Sequence, residues 1–270
     1  MTDISRFLQS VKLPVMPEVA HALIRTLNDE NADVTNIRDV IAKDPVLSTT
    51  LVRMANSAIF GLSRTVETLD SAVSVVGMSQ IRARALSICL ANVFKFPPNL
   101  NRLDFWRNSM VGAGYAKWLA SSIGMDEQMA WLTAVMLRLG QLSIAEHSPA
   151  MLEQIEQTPR APGERWRRER DLIGFDEAEI TAEIAHRWDF PEVVTSGLRQ
   201  AGQPMTAQTF SKLSGVIHLA ALIADTEEPN AETLDSLPLA VVLALRLKLD
   251  RLKLSMPKAE AFSDISMLQT

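Results

Sequence analysis

Four histidines, one cysteine and a scatter of acidic side chains are the groups in this 270-residue chain that could hold a metal or serve as nucleophile, acid or base. A hydrolytic metal site needs several His, Asp or Glu donors converging, with one position left open for water. His21, His147, His186 and His218 do not offer this: none is followed by Asp, and no two stand at the i, i+4 spacing that places a ligand pair on one helix face. No GxSxG, GxGxxG or P-loop string occurs. Cys89 shares a helical face with Ile81, Ala85 and Ile88 and reads as a small core hydrophobe rather than a reactive thiol. From these patterns we expect no catalytic residue, no metal ligand and no cofactor. One residue is out of place. In "AVMLRLGQLSIAEH", residues 134–147, Arg138 is the only charge between Glu127 and Glu146. A guanidinium in apolar surroundings needs either water or a partner, because a lone buried charge is too costly to keep.

The elements that must position these groups read as helices throughout. Hydrophobic content is 47% and charged content 22%, enough for a sizeable core and ordinary for a globular chain. The net charge of -5 argues against a protein that neutralises many phosphates, so no nucleic-acid partner is expected. A single cysteine fits a reducing compartment, the start lacks the order of a signal peptide, and no long uncharged apolar run appears; a cytoplasmic protein with no membrane span is expected. Ala20, Leu23, Ile24 and Leu27 form an i, i+3, i+4, i+7 stripe. Asp33 can cap the next helix, and Asp44 with Pro45 opens another that Gly61 can close. The segment after it splits at Gly77, with Ser79 capping a helix to about residue 94. "FPPNLN" breaks the chain, because prolines do not continue a helix. A helix then runs from Asp104 to near Gly124, and another from about Asp126 to His147. Shorter helices are predicted over 150–158, 163–173, 176–189 and 191–200, and later ones begin near residue 207 and at Pro238. The expected fold is all-α, a two-part helical bundle: an N-terminal subdomain over 1–98, a second subdomain over 99–225 and a helical extension over 226–270.

Three ordered motifs, "LPVMPEVAHALIRTLND", "IAKDPVLSTTLVRMANSAIFGL" and "LDSAVSVVGMSQIRARAL", resemble the HDOD domain of bacterial signalling proteins. The spacing of Leu13-Pro14, Pro17, Lys43-Asp44-Pro45, Asn56-Ser57, Phe60-Gly61 and Gly77 fits that pattern without gaps. The likeness continues through "FWRNS", "ERDLIGFDEAEI" and "RWDFP" to about residue 225. It implies an N-terminal helical subdomain followed by a degenerate relative of HD-type metal phosphohydrolases, which hold metal with a histidine, a His-Asp pair and a later aspartate. By that resemblance the first histidine falls on Asn108, the His-Asp pair on Leu137-Arg138, a histidine common in relatives on Glu177, and the aspartate on Ala221. Leu137 and Ala221 cannot ligate, and Arg138 brings positive charge where a cation would sit. The resemblance thus implies a dismantled metal site.

Arg138 admits three readings: a side chain snorkelling to water, a buried ion pair with Glu177, or an anion pocket shared with Asn108. "RAPGERWRRER", with Arg160, Arg165, Arg167, Arg168 and Arg170, reads first as a solvated helix face. Its alternative is an interaction surface of Arg165, Trp166, Arg167 and Arg168, in which an exposed Trp beside arginines would be a binding anchor. Asn56 and Ser57 are expected to close a turn by local hydrogen bonds. Together these readings lead to a non-enzymatic regulatory protein that acts by binding a signalling partner, in two-component or cyclic-dinucleotide settings by the resemblance. The rivals are a divergent nucleotide phosphohydrolase and a metal-free nucleotide sensor. The partner and the oligomeric state are not written in the sequence.

Overall fold

Polar residues that cap helices fall at regular intervals along this chain, and the computed structural model shows what they start. It describes residues 4–29, 31–57, 60, 65–98, 100–157 and 161–268, all helix, turn or loop with no strand. Asp33, Asp44, Thr68, Asn101, Asp126, Ser148 and Ser211 each accept a backbone N–H of the first helical turn that follows. Pro45 and Pro149 take first-turn positions, where no amide hydrogen is needed. The resulting helices are α1 (Ile4–Gln9), α2 (Glu18–Asn28), α3 (Val34–Ala42), α4 (Pro45–Ala55), α5 (Leu69–Val76), α6 (Met78–Val93), α7 (Arg102–Ser122) and α8 (Glu127–Met136). They continue as α9 (Leu139–His147), α10 (Pro149–Ile155), α11 (Glu164–Ile173), α12 (Glu177–Arg187), α13 (Glu192–Arg199), α14 (Lys212–Asp225), α15 (Leu239–Ala244) and α16 (Leu249–Ser255). Short 3-10 turns lie at Ala231–Ser236, Ala259–Phe262 and Ser266–Leu268. No single described helix is long and apolar enough to cross a membrane.

The chain forms two units. The smaller comprises Pro14–Phe94, Trp188–Pro191 and Ile265–Thr270; the larger comprises Met1–Leu13, Lys95–Arg187 and Glu192–Asp264. This differs from the expected boundaries at both ends of the chain. Residues 4–13 group with the larger unit because Phe7 packs edge-on against Phe175 at 5.2 Å and against His147 at 4.9 Å. The stretch after residue 225 is not a separate extension. Its Phe262 ring stacks edge-on against Tyr115 of α7, where Gly114 has no Cβ to obstruct it, and the Tyr115 hydroxyl donates to Pro257 O at 3.3 Å. The last turn, Ser266–Leu268, packs instead on α4 and α6 of the smaller unit.

Within the smaller unit the apolar faces of α2, α3, α4 and α6 meet, with Leu23, Ile24, Ile41, Leu51, Ile81 and Leu86 at 1% exposure or less. Gly77 ends α5 and opens α6 at φ +89°, a conformation that L side chains rarely adopt. Gly77 therefore takes the N-cap position expected of Ser79, which lies inside α6. Asn56 closes α4: its amide donates to Val52 O and Val66 O, and its Oδ1 accepts from Val66 N at 2.7 Å. Ser57 N donates to Met54 O and its carbonyl accepts from Phe60 N, while its hydroxyl finds no partner among the described residues. The helix ends at Ala55, well before Gly61, which lies outside the described residues, as does Arg160. Pro17 precedes α2 without a side-chain cap. Burial pushes the Cys89 thiol up to about 12, which keeps it a protonated core group. Burial also pulls Arg84 down to about 9.

Candidate functional site

The helix expected over residues 126–147 is two helices. α8 ends at Met136, α9 begins at Leu139, and Arg138 sits between them with φ -86° and ψ 1°, outside the helical region. Such a break frees backbone carbonyls that require partners. Thr181 of α12 supplies one: its hydroxyl lies 3.0 Å from Leu137 O and accepts from Gly140 N at 2.8 Å. Gly140 lets the two backbones meet, since a Cβ there would stand 2.2 Å from Glu177 O. Leu137 and Arg138 are thus held on a turn between α8 and α9 that packs against α12.

Arg138 is 9% exposed, too little for a side chain that snorkels to solvent, and it makes no direct ion pair with Glu177. Its Nη2 donates to Asp225 Oδ1 at the end of α14. Asp225 Oδ2 also accepts from Gly163 N at 3.3 Å. Burial alone would raise the Asp225 carboxyl; the Arg138 guanidinium more than reverses this and holds it below its ordinary value. Burial likewise opposes the charge on Arg138, and Asp225 and Glu177 outweigh it, so its pKa is raised. The partner was not expected from sequence. The resemblance puts the aspartate position at Ala221, and Asp225 lies four residues on, one turn along the same helix face. The i, i+4 spacing is the signal that could have found it.

A second arginine joins the first. Arg165, expected on a surface, is 5% exposed; its guanidinium pairs with Glu156 and stands 3.8 Å from Glu169. Gln141 also donates to Glu156, at 2.8 Å. Glu169 Oε2 accepts from Glu177 N at 2.7 Å. Among the described residues, Glu169 Oε1 and Glu177 Oε2 have no hydrogen-bond partner. Two guanidinium groups therefore face four carboxyl groups. Burial pushes Glu177 up to about 7 against the pull of Arg165 and Arg138. Burial together with Glu177 pushes Glu169 well above the carboxylate range, against the pull of Arg165. Asn108, Arg138, Arg165, Asp225 and Glu227 line a cavity of about 240 Å³, and Asn108, Leu137, Arg138 and Ala221 converge on a smaller void beside it. Among the described residues, no group of three or more His, Cys, Asp or Glu is arranged to hold a metal ion.

The expected surface at residues 165–168 does not form. Trp166 is 3% exposed and stacks on His218, with ring centroids 5.2 Å apart and planes at 22°. Arg168 donates to Ile155 O and Gln157 O, tying α11 to the end of α10. Only Arg167 is largely exposed, in ion pairs with Glu164 and Asp171. The helix turns Arg165, Glu169 and Ile173 inward together, a stripe that the density of arginines conceals in the sequence.

Comparison with known proteins places this geometry. The HDOD domain family matches residues 13–204, most of the chain. The chain belongs to the HDOD family. Of solved structures, a protein described as "Putative phosphohydrolase" from Shewanella amazonensis SB2B is similar at 26% identity and TM-score 0.77, covering 97% of each chain. A "Putative signal transduction protein" from Marinobacter aquaeolei VT8 has 22% identity and TM-score 0.75, over 99% of this chain and 66% of that one. An HDOD domain protein with unknown function from Geobacter sulfurreducens has 20% identity and TM-score 0.69, over 81% and 75%. An uncharacterized protein of Treponema pallidum (strain Nichols) is 25% identical over 191 residues, 69% of this chain but 37% of that protein. What this HDOD chain shares with these helical relatives is the fold.

Proposed function

We propose that this HDOD protein is a cytoplasmic signalling regulator that performs no chemistry and acts by binding another protein. One observation carries the reading: the corner that presents a His-Asp pair in HD-type hydrolases presents Leu137 and Arg138, and the guanidinium is engaged by Asp225. A cation fixed at that position repels a metal ion, and the nearest carboxylate is already committed to it. The site is thereby turned from a metal cradle into an ion-paired support for α8, α9 and α14. Protein purified without chelator and supplied with Mn²⁺ is expected to hold substoichiometric metal and to leave bis(p-nitrophenyl) phosphate and nucleoside phosphates unhydrolysed. Stoichiometric metal with turnover overturns the proposal. Affinity capture from the native cell is expected to recover a stoichiometric protein partner, and recovery of none counts against the binding role.

A second reading has its own support. The name of the Shewanella relative, and a cavity of about 240 Å³ whose polar lining includes the Arg138 and Arg165 guanidinium groups beside Asp225 and Glu227, favour a phosphate-bearing ligand that would compete for those arginines. A thermal-shift titration with AMP, GMP and cyclic di-GMP separates it from the first. A saturable rise in melting temperature that is lost in Arg165→Met favours a nucleotide sensor.

A further inference from the structure

Separate from the arginine-lined cavity, the larger unit contains a hollow of about 380 Å³, within the range of small-molecule sites. Its walls come from the start of α11 (Gly163, Trp166), from α14 (His218, Leu222) and from the 3-10 turn after it (Thr233, Ser236). None of the described residues lining it carries a charged side chain, in contrast with the neighbouring cavity. No charged lining residue is there to offset the desolvation of an ionic ligand, which favours an uncharged one.

Three polar groups give the hollow a direction. His218 Nδ1 lies 2.8 Å from Ala201 O, which can only accept, so in the neutral ring Nδ1 carries the proton. Burial lowers the pKa of His218 and keeps the ring neutral. Its Nε2 is therefore a lone-pair acceptor, and no described residue donates to it. Ser236 spends its hydroxyl hydrogen on Thr233 O at 2.7 Å and keeps acceptor capacity. Thr233 Oγ1 accepts from Asn230 N at 3.0 Å and keeps a donor. Leu222, Leu237 and the Trp166 ring supply apolar surface around them.

We propose that this hollow binds an uncharged, ring-sized organic molecule that donates an N–H or O–H hydrogen bond to His218 Nε2. The site lies outside the residues that replace the metal centre, so it does not depend on the reading of Arg138. It also gives residues 231–238 a task, since they form one wall of the hollow.

The test is isothermal titration of the full chain with 2-naphthol, its methyl ether 2-methoxynaphthalene, and 2-naphthoate. The naphthol is expected to bind saturably. The ether, which cannot donate, is expected to bind about fivefold more weakly, the effect of one neutral hydrogen bond. The anionic naphthoate is expected not to bind. Ser236 is exposed, so Ser236→Trp should fill the hollow and abolish naphthol binding with an unchanged melting temperature and circular dichroism. His218→Phe keeps a ring and should erase the difference between naphthol and ether. Equal binding of all three compounds, undiminished binding in Ser236→Trp, or no binding of 2-naphthol up to its solubility limit each overturns the proposal.

Discussion

Removing the Arg138 guanidinium leaves Asp225 beside Glu177 with Arg165 as the remaining nearby cation. Breaking one side of a fully buried pair costs about 3–5 kcal/mol. The side chains here keep 11% and 23% exposure, so Arg138→Leu is expected to cost somewhat less, on the order of 2–3 kcal/mol. The double change Arg138→Leu, Asp225→Leu should recover much of it in urea titration, because no charge is then stranded; no recovery shows that the two do not act as a pair. Glu177 adds a pH dependence. Its folded pKa of about 7 lies above the model carboxyl value of 4.5, so the folded state holds a proton that the unfolded chain releases first. The contribution is full below the unfolded value and is lost as pH rises through about 7. Glu177→Gln, which mimics the protonated form, should flatten the fall in melting temperature between pH 5 and pH 8, and an unchanged slope assigns that fall to other groups. The sequence shows Arg138 as anomalous because its neighbours are apolar. It conceals the partner, because the pairing depends on how α14 is rotated against the corner, and nothing local to Asp225 records that.

At the scale of elements, the corner between α8 and α9 is the part that helical periodicity misreads. Apolar residues on both sides of Leu137 continue one pattern, so a break of two residues leaves no trace in it. What marks the corner is Gly140, which looks like an indifferent glycine until α12 is in place. A Cβ at 2.2 Å from Glu177 O must push two backbones apart, and no flexible side chain can give way there. Gly140→Ala is expected to destabilise by roughly 2–4 kcal/mol, more than the 1–3 kcal/mol usual for an added core methyl group. A shift of less than 0.5 kcal/mol in urea titration removes the close approach of α9 and α12 from the account. Helix starts such as those of α3 and α4 were more legible than helix ends, since a cap such as Asp33 or Asp44 acts on amides two or three residues away. The end of α4 instead depends on Asn56 reaching Val66 across a loop.

At the scale of the molecule, the family motifs revealed the order of the elements but not how the chain distributes them. Residues 188–191 and 265–270 group with helices encoded near the start. The reason is visible in Trp188, whose ring packs edge-on at 5.8 Å against Phe94, and in Ile265, Met267 and Leu268, all buried. No local pattern reports such partnerships. Removing residues 265–270 should withdraw three apolar side chains from the smaller unit, each contributing about 1.5–3 kcal/mol when fully buried. Hydrogen exchange is expected to quicken in α4 and α6 while α7 and α14 keep their protection; uniform change throughout, or none, shows that the last turn is not part of that unit's core.

The same last turn sets a schedule. On the ribosome α2 to α6 emerge before α7 and the helices that follow it, and can pair early through short-range contacts. The piece that covers α4 and α6 is translated after residues 95–264, so one apolar face of these helices stays open while the larger unit is made. Chaperone dependence of newly made chains should therefore centre on α4 and α6, and should outlast the folding of helices translated much later.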